Sequence, residues 1–259
     1  MTRLFDTFLY VPFFNLLVFL YNTVAFNDFG IAIILLTLII RLILSPLSIK
    51  TFRSQKALSE LQPRVKEIQE KFKNDSREQS KQVMDLYRQY NVNPFSGCLP
   101  LLIQLPILIA LYRVSIAGFG EDSLSVLYSF IKNPASLNSI SLGFLDLTKK
   151  SLPLALIAGI SQFIQTKSSL SFSKNPTLQK DQKVPSTTNP LASMNQQMLY
   201  FLPVITIIVS MSFPAGLPLY WIATTVFSIF EQAYINRPSR SRVKSEYGKS
   251  DRTTNFRDR

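Results

Sequence analysis

The stretch FGIAIILLTLIIRLILSPLSI, residues 29–49, decides the fold of this chain. It is apolar over about 20 residues, the length that crosses about 30 Å of hydrocarbon as a helix. Arg41 interrupts it, and at about 1.5 Å per residue from Gly30 this arginine lies roughly 16 Å deep, near the midplane. An arginine at that depth costs roughly 2.5–3.5 kcal/mol on insertion scales, so it must face water or a polar partner. The stretch therefore predicts a spanning helix with one polar side. A snorkelling arginine is the alternative, which the midplane depth disfavours.

The composition of the whole chain fits a membrane protein with basic loops better than a soluble domain. Of its 259 residues 47% are hydrophobic, yet its net charge is +12. Four more stretches are long and apolar enough to be read as spans. We therefore predict an all-α integral membrane protein with five transmembrane helices, at residues 29–49, 93–117, 151–167, 193–213 and 217–235.

The N-terminal residues 1–28 combine many aromatic side chains with Pro12, Asn15 and Asn22. Such a mixture is typical of the membrane interface, so we predict an external interfacial helix, with a spanning segment as the alternative. The positive charge of Arg3 is offset by Asp6, and no clear small-residue cleavage site follows. A cleaved signal peptide is therefore not expected.

Basic residues near the predicted spans set the orientation, because lysine and arginine flanking a span stay in the cytoplasm. They concentrate in residues 50–92, in the loop at 168–192 and in the tail at 236–259, and are sparse in the loop at 118–150. The sequence thus predicts an external N-terminus, an external loop at 118–150 and a basic cytoplasmic tail. The absence of an Arg- and Ser-rich presequence favours a bacterial plasma (inner) membrane.

Residues 50–92 have helical periodicity. Apolar residues recur at steps of three and four from Leu58 to Phe72, and again from Val83 to Tyr90, on either side of Asn74. This spacing predicts two amphipathic helices packed as a cytoplasmic hairpin, with a solvated basic loop as the alternative. Pro63 should kink the first helix or mark where it restarts.

Two residue counts limit the chemistry of this chain. It has no histidine and a single cysteine, Cys98, so zinc-protease motifs, Ser-His-Asp triads and an internal disulfide are excluded. No phosphate-binding glycine loop is present either. We therefore expect no enzyme, no cofactor and no metal site.

Polar side chains recur at helical spacing on several predicted spans. Thr37, Arg41 and Ser45 share one face of the first span, and Tyr220, Thr224 and Ser228 recur every fourth residue in the fifth. Together with the unpaired arginine, they predict a hydrophilic groove between the helices. Its candidate lining residues are Arg41, Thr37, Ser45, Gln104, Gln162, Gln165, Tyr220, Trp221, Thr224 and Ser228. Such stripes are also typical of hydrogen bonds between helices, and Tyr220 and Trp221 fit packing between helices equally well.

Three segments carry a resemblance to a known family: LQPRVKEIQEKFKND at 61–75, LYRQYNVNPFSGCLPLLIQLPILIALYR at 86–113, and FPAGLPLYWIATTVFSIFEQ at 213–232. They resemble the signatures of the YidC, Oxa and Albino insertases, in the family's order. The resemblance covers the chain from about Phe29 to Gln232. It implies a five-helix core, an interfacial helix before the first span, and a groove open to cytoplasm and lipid. Because the first span begins at residue 29, we expect a minimal form without the large periplasmic domain of many Gram-negative members.

This resemblance implies a membrane protein insertase and chaperone for nascent membrane proteins, working alone or with the Sec translocon. The basic tail, with Arg237, Arg240, Arg242 and Lys244, suits the ribosome or anionic lipids without preference for a nucleic acid sequence, with a topology signal only as the alternative. Two alternatives stay open. One is a small channel or transporter with a midplane anion site, and the other is a chaperone that holds subunits without moving them.

Overall fold

The structure is a computed structural model that describes residues 2–94, 99–117, 121–134, 136–171 and 190–235. The described residues are mostly helical, as predicted. The four tail residues named above, Cys98 and most of the loop predicted at 168–192 lie outside the described residues.

The N-terminal segment is a nearly continuous helix. It consists of α1 (Thr2–Phe5), a π-helical turn (Asp6–Tyr10) and α2 (Val11–Thr23). Positive φ angles at Phe26 and Asn27 then turn the chain into the next helix. One side of α2 is buried against α3, and Phe14 and Leu17 are fully covered. The segment is therefore attached to the protein along its length.

The helix α3 (Phe29–Glu60) contains the decisive stretch and extends eleven residues past its predicted end, 60 minus 49. The Asp28 carboxylate accepts a hydrogen bond from the Ile31 N–H at 3.0 Å, which caps the first turn. Pro46 lies inside α3 without ending it.

A helical hairpin follows α3. The helix α3 ends at Glu60, and the next helix, α4 (Gln62–Lys71), has Pro63 in its first turn. The proline therefore marks the start of a new helix, where the N–H that proline lacks would have no partner within the helix. The helix α5 (Ser76–Gln89) returns antiparallel to α4, and Gln79 Nε2 donates to the Gln69 carbonyl at 2.9 Å.

Four further helices complete the described chain. They are α6 (Leu99–Ala117), α7 (Leu152–Ser171), α8 (Pro190–Ser212) and α9 (Gly216–Ile235). The helix α6 thus begins at Leu99, whereas the span was predicted from residue 93. The other three helices begin and end within four residues of the predicted spans. In the packing, α9 lies against α3 and α7, and α7 also lies against α8.

The loop between α6 and α7 contains a 3₁₀ helix (Glu121–Val126) and two short antiparallel strands, β1 (Ile140–Ser141) and β2 (Leu145–Asp146). Hydrogen bonds attach this loop to the N-terminal helix. Asn15 Nδ2 donates to the Val126 carbonyl at 3.0 Å, and Asn15 Oδ1 accepts from the Tyr128 N–H at 2.6 Å. Because Asn15 is only 1% exposed, these bonds fix the loop without competition from water.

Only α3, among the described residues, is both long and apolar enough to cross a membrane by length and composition. Its most apolar window has a mean hydropathy of 2.4, and the shorter apolar stretches are Leu102–Val114 and Leu199–Ser212. The prediction of five spanning helices therefore stays a prediction.

Candidate functional site

Arg41 lies on the inward side of α3, where polar side chains from two other helices meet it. Its Nε donates to Thr224 Oγ1 of α9, and its Nη2 donates to Gln104 Oε1 of α6, both at 3.4 Å. These are long hydrogen bonds to neutral acceptors, so each is weak. Within the described part of the chain, no carboxylate oxygen lies within 4.0 Å of the guanidinium. The described hydrogen bonds of the arginine are thus both long and both to neutral groups.

A third hydrogen bond extends this arrangement from Gln104 to α9. Gln104 Nε2 donates to the hydroxyl of Tyr220 on α9, a side chain that is 2% exposed. The resulting network of Arg41, Gln104, Tyr220 and Thr224 joins α3, α6 and α9. We name these four residues the arginine cluster. Burial makes such a network specific, because few other geometries satisfy all its polar atoms.

The other predicted lining residues take different places. Thr37 is fully buried, but its hydroxyl donates to the Ile33 carbonyl one turn back in α3, at 2.7 Å. Gln162 and Gln165 are half-buried on α7, and no hydrogen bond joins them to Arg41 among the described residues. Ser228 is buried on α9, whereas Ser45 and Trp221 are half-buried. The structure therefore brings together four of the ten residues by hydrogen bonds.

Glu231 was not among the predicted site residues, because the sequence placed it near the inner end of the fifth span. It is 8% exposed, and neither of its carboxylate oxygens has a hydrogen-bond partner in the described structure. The Ser45 hydroxyl approaches it from α3 at a geometry short of a hydrogen bond, and Arg41 acts on it electrostatically. The signal in the sequence was its spacing: Glu231 follows Ser228 by three residues on the polar side of α9.

The N-terminal end of α3 has a separate polar centre at Asp28. Besides capping the helix, its carboxylate accepts from Ser141 Oγ and the Leu142 N–H, both at 2.6 Å. Burial raises the pKa of this carboxyl, but bonds from Leu142, Ser141, Ile31 and Gly30 outweigh it, so the net pKa is lowered. Asp28 therefore holds the β1–β2 loop over the N-terminal end of α3.

Known proteins resemble this chain in sequence and in structure. The family model of the 60Kd inner membrane protein matches residues 19–242, which include α3, the hairpin and the arginine cluster. The chain belongs to the YidC family of membrane protein insertases. A protein named membrane protein insertase YidC from Syntrophobacter fumaroxidans is 34% identical over 82% of this chain and 35% of its own length. The YidC insertase of Oceanobacillus iheyensis is 33% identical over 82% of this chain and 77% of its own length.

A solved YidC structure is also similar. It is described as an active YidC insertase crystal structure with the first transmembrane domain resolved, and it matches with a TM-score of 0.58 at 26% identity. The match covers 90% of this chain and 46% of that one. The chain thus spans about a third of the first YidC relatives, 35% of their length, and most of the Oceanobacillus relative.

Proposed function

We propose that this chain is a membrane protein insertase and chaperone in the bacterial inner membrane. It moves short hydrophilic segments of nascent membrane proteins, here called clients, into a polar groove around the arginine cluster, and releases their helices into lipid. The observation that carries the proposal is Arg41, a half-buried cation held by two long bonds to neutral groups, within the apolar stretch 29–49 of α3. Membership of the YidC family supports the same reading.

Membrane embedding of the whole helical core is supported by its exposed side chains. Large apolar residues on the outer faces of the helices are open to the surroundings, with exposures of 70% at Ile43, 58% at Ile160 and 70% at Phe230. A soluble protein rarely exposes contiguous apolar surface on this scale. We therefore propose that α3, α6, α7, α8 and α9 all span the bilayer, with the N-terminus outside and the C-terminus in the cytoplasm.

Attraction between charges explains how the groove receives an acidic client segment. Two opposite charges 4 Å apart at an effective dielectric of about 20 attract by roughly 4 kcal/mol. The client's desolvation opposes this, so the net attraction is smaller and the contact is transient. A client carboxylate exchanges with Thr224 and Gln104, because a charged acceptor bonds a guanidinium more strongly than a neutral one.

Release into lipid needs no chemical energy. Once the hydrophilic segment has crossed, the apolar client helix leaves along the exposed faces of α7 and α9, where Ile160, Ile164 and Phe230 already face outward. Moving apolar surface from water to hydrocarbon drives this step. The Asp28 centre keeps the outer end covered while the client enters from the cytoplasmic side.

Partners follow from the same arrangement. The hairpin of α4 and α5 receives the client, and the basic tail with Arg237, Arg240, Arg242 and Lys244 holds the ribosome or anionic lipid nearby. The Sec translocon is a further partner in this proposal.

The test is complementation of a strain depleted of its own insertase, with insertion of a short client as the readout. Wild type and Arg41→Lys should support insertion of a client with an acidic outer segment, whereas Arg41→Ala should fail at matched expression. The control is Arg53→Ala, because Arg53 is an exposed arginine farther along the same helix.

Neutralising the client's acidic residues should reduce the dependence of insertion on Arg41. Equal rescue by Arg41→Ala would remove the arginine from the mechanism. Ion flux through purified protein in liposomes would instead indicate a channel.

A further inference from the structure

A second charged group lies beside the arginine cluster. Glu231 is more than nine-tenths buried, and the described structure offers neither oxygen a hydrogen bond. A buried carboxylate without a hydrogen-bond partner is strongly unfavourable unless a cation reaches it or it is neutralised. Such a group is rarely retained in a membrane helix without a function.

The geometry places Glu231 on the cytoplasmic side of Arg41. The helices α3 and α9 run parallel here, since Gly30 lies next to Leu219, Arg41 bonds to Thr224, and Ser45 approaches Glu231. Glu231 follows Thr224 by seven residues, 231 minus 224, which at 1.5 Å per residue is roughly 10 Å along the helix. A client arriving from the cytoplasm would therefore meet the carboxylate before the guanidinium.

This order of charges bears on which client segments can cross. The guanidinium of Arg41 attracts a client aspartate but repels a client lysine, so a segment with both charges needs a second partner. An extended chain covers roughly 10 Å in three residues, which matches the offset along α9 between Thr224, a hydrogen-bond partner of Arg41, and Glu231. Ser45, the small half-buried side chain beside Glu231, is the group that an incoming lysine would displace.

We propose that Glu231 is a binding site for a lysine or arginine side chain of the client's translocating segment, and that it acts together with Arg41 on segments of mixed charge. This rests on the proposed insertase function and adds a specificity to it. The favoured segment carries an acidic residue followed three positions later by a basic one. In such a segment each client charge meets an opposite charge of the groove.

The experiment compares two clients that differ at one position, Asp-x-x-Lys and Asp-x-x-Gln in the translocated segment, inserted into proteoliposomes by the purified full chain. Glu231→Gln keeps the side chain's shape and removes its charge. We expect it to lower insertion of the lysine client by at least about fivefold, because the client's ammonium group then has no opposite charge to pair with in the groove. The glutamine client should insert as with wild type.

The outcomes are distinguishable. If Glu231→Gln lowers insertion of both clients equally, Glu231 is only an internal counter-charge for Arg41, and the proposal is overturned. If it affects neither client, the proposal is overturned as well. Glu231→Asp should restore the preference for the lysine client in part, which separates charge from packing. Failure of wild type to insert the glutamine client would instead refute the proposed function itself.

Discussion

Replacing Asp28 with alanine should destabilise the protein more than any single change in its surface loops. The carboxylate caps α3 through Ile31 and holds the β1–β2 loop through Ser141 and Leu142. Alanine removes all three hydrogen bonds at once. The N-terminal end of α3 would then lose both its cap and the loop that covers it.

The magnitude follows from these bonds. Loss of an N-cap costs about 1 kcal/mol. Each of the other two bonds, to a charged acceptor, contributes about 1.5–3 kcal/mol where water is excluded, and less where water competes. Because Asp28 is only half-buried, we expect a total loss of about 2–4 kcal/mol in the free energy of unfolding.

The assay is reversible unfolding of the purified protein in mixed micelles, followed by circular dichroism. Asp28→Asn is the matched variant, because it keeps the shape and one oxygen acceptor but loses the charge, and it should cost about half as much. A loss below about 0.5 kcal/mol for Asp28→Ala, the range of ordinary surface substitutions, would refute the reasoning.

Three further predictions concern other described contacts. Because its pKa is lowered, Asp28 contributes stability above about pH 4 that is lost as the pH falls through its folded pKa. The difference in unfolding free energy between wild type and Asp28→Asn should therefore be constant from about pH 7 to 5 and shrink below about pH 4. An unchanged difference at pH 3 would argue against this reasoning. Gly159→Ala places a methyl group 2.6 Å from Cδ1 of Ile207 and should cost about 1–3 kcal/mol in unfolding experiments, with Ile207→Ala restoring part of it if the clash is the cause. Asn15→Ala leaves the Tyr128 N–H without its acceptor, so hydrogen exchange at Tyr128 should accelerate about tenfold or more while exchange in α7 stays unchanged; equal acceleration in both would indicate general unfolding instead.

Helical periodicity and charge in the sequence were sufficient to predict several features of the fold. The apolar run from residue 29 gave the start of α3, and the spacing of apolar residues on either side of Asn74 gave the paired helices α4 and α5. The restart at Pro63 followed from the same local chemistry, since proline lacks the N–H that a helix interior needs. These features depend on residues close in sequence, so local rules were enough.

The hydrogen-bond partners of Arg41 lie far from it along the chain, so local rules did not identify them. Its depth and its need for a polar environment followed from the sequence, but the sequence offered ten candidate lining residues, of which Gln104, Tyr220 and Thr224 form the cluster with it. The choice depends on the rotation of each helix about its axis, which is set by packing among α3, α6 and α9.

The same distinction holds for the molecule as a whole. The sequence by itself determined that a cation interrupts a long apolar stretch and that basic residues flank the predicted spans, because hydropathy and charge belong to single positions. Only the tertiary structure decided that Asp28 holds the β1–β2 loop over α3 and that Glu231 is buried beside Ser45. Both contacts join residues far apart along the chain, and their geometry exists only once the helices have packed.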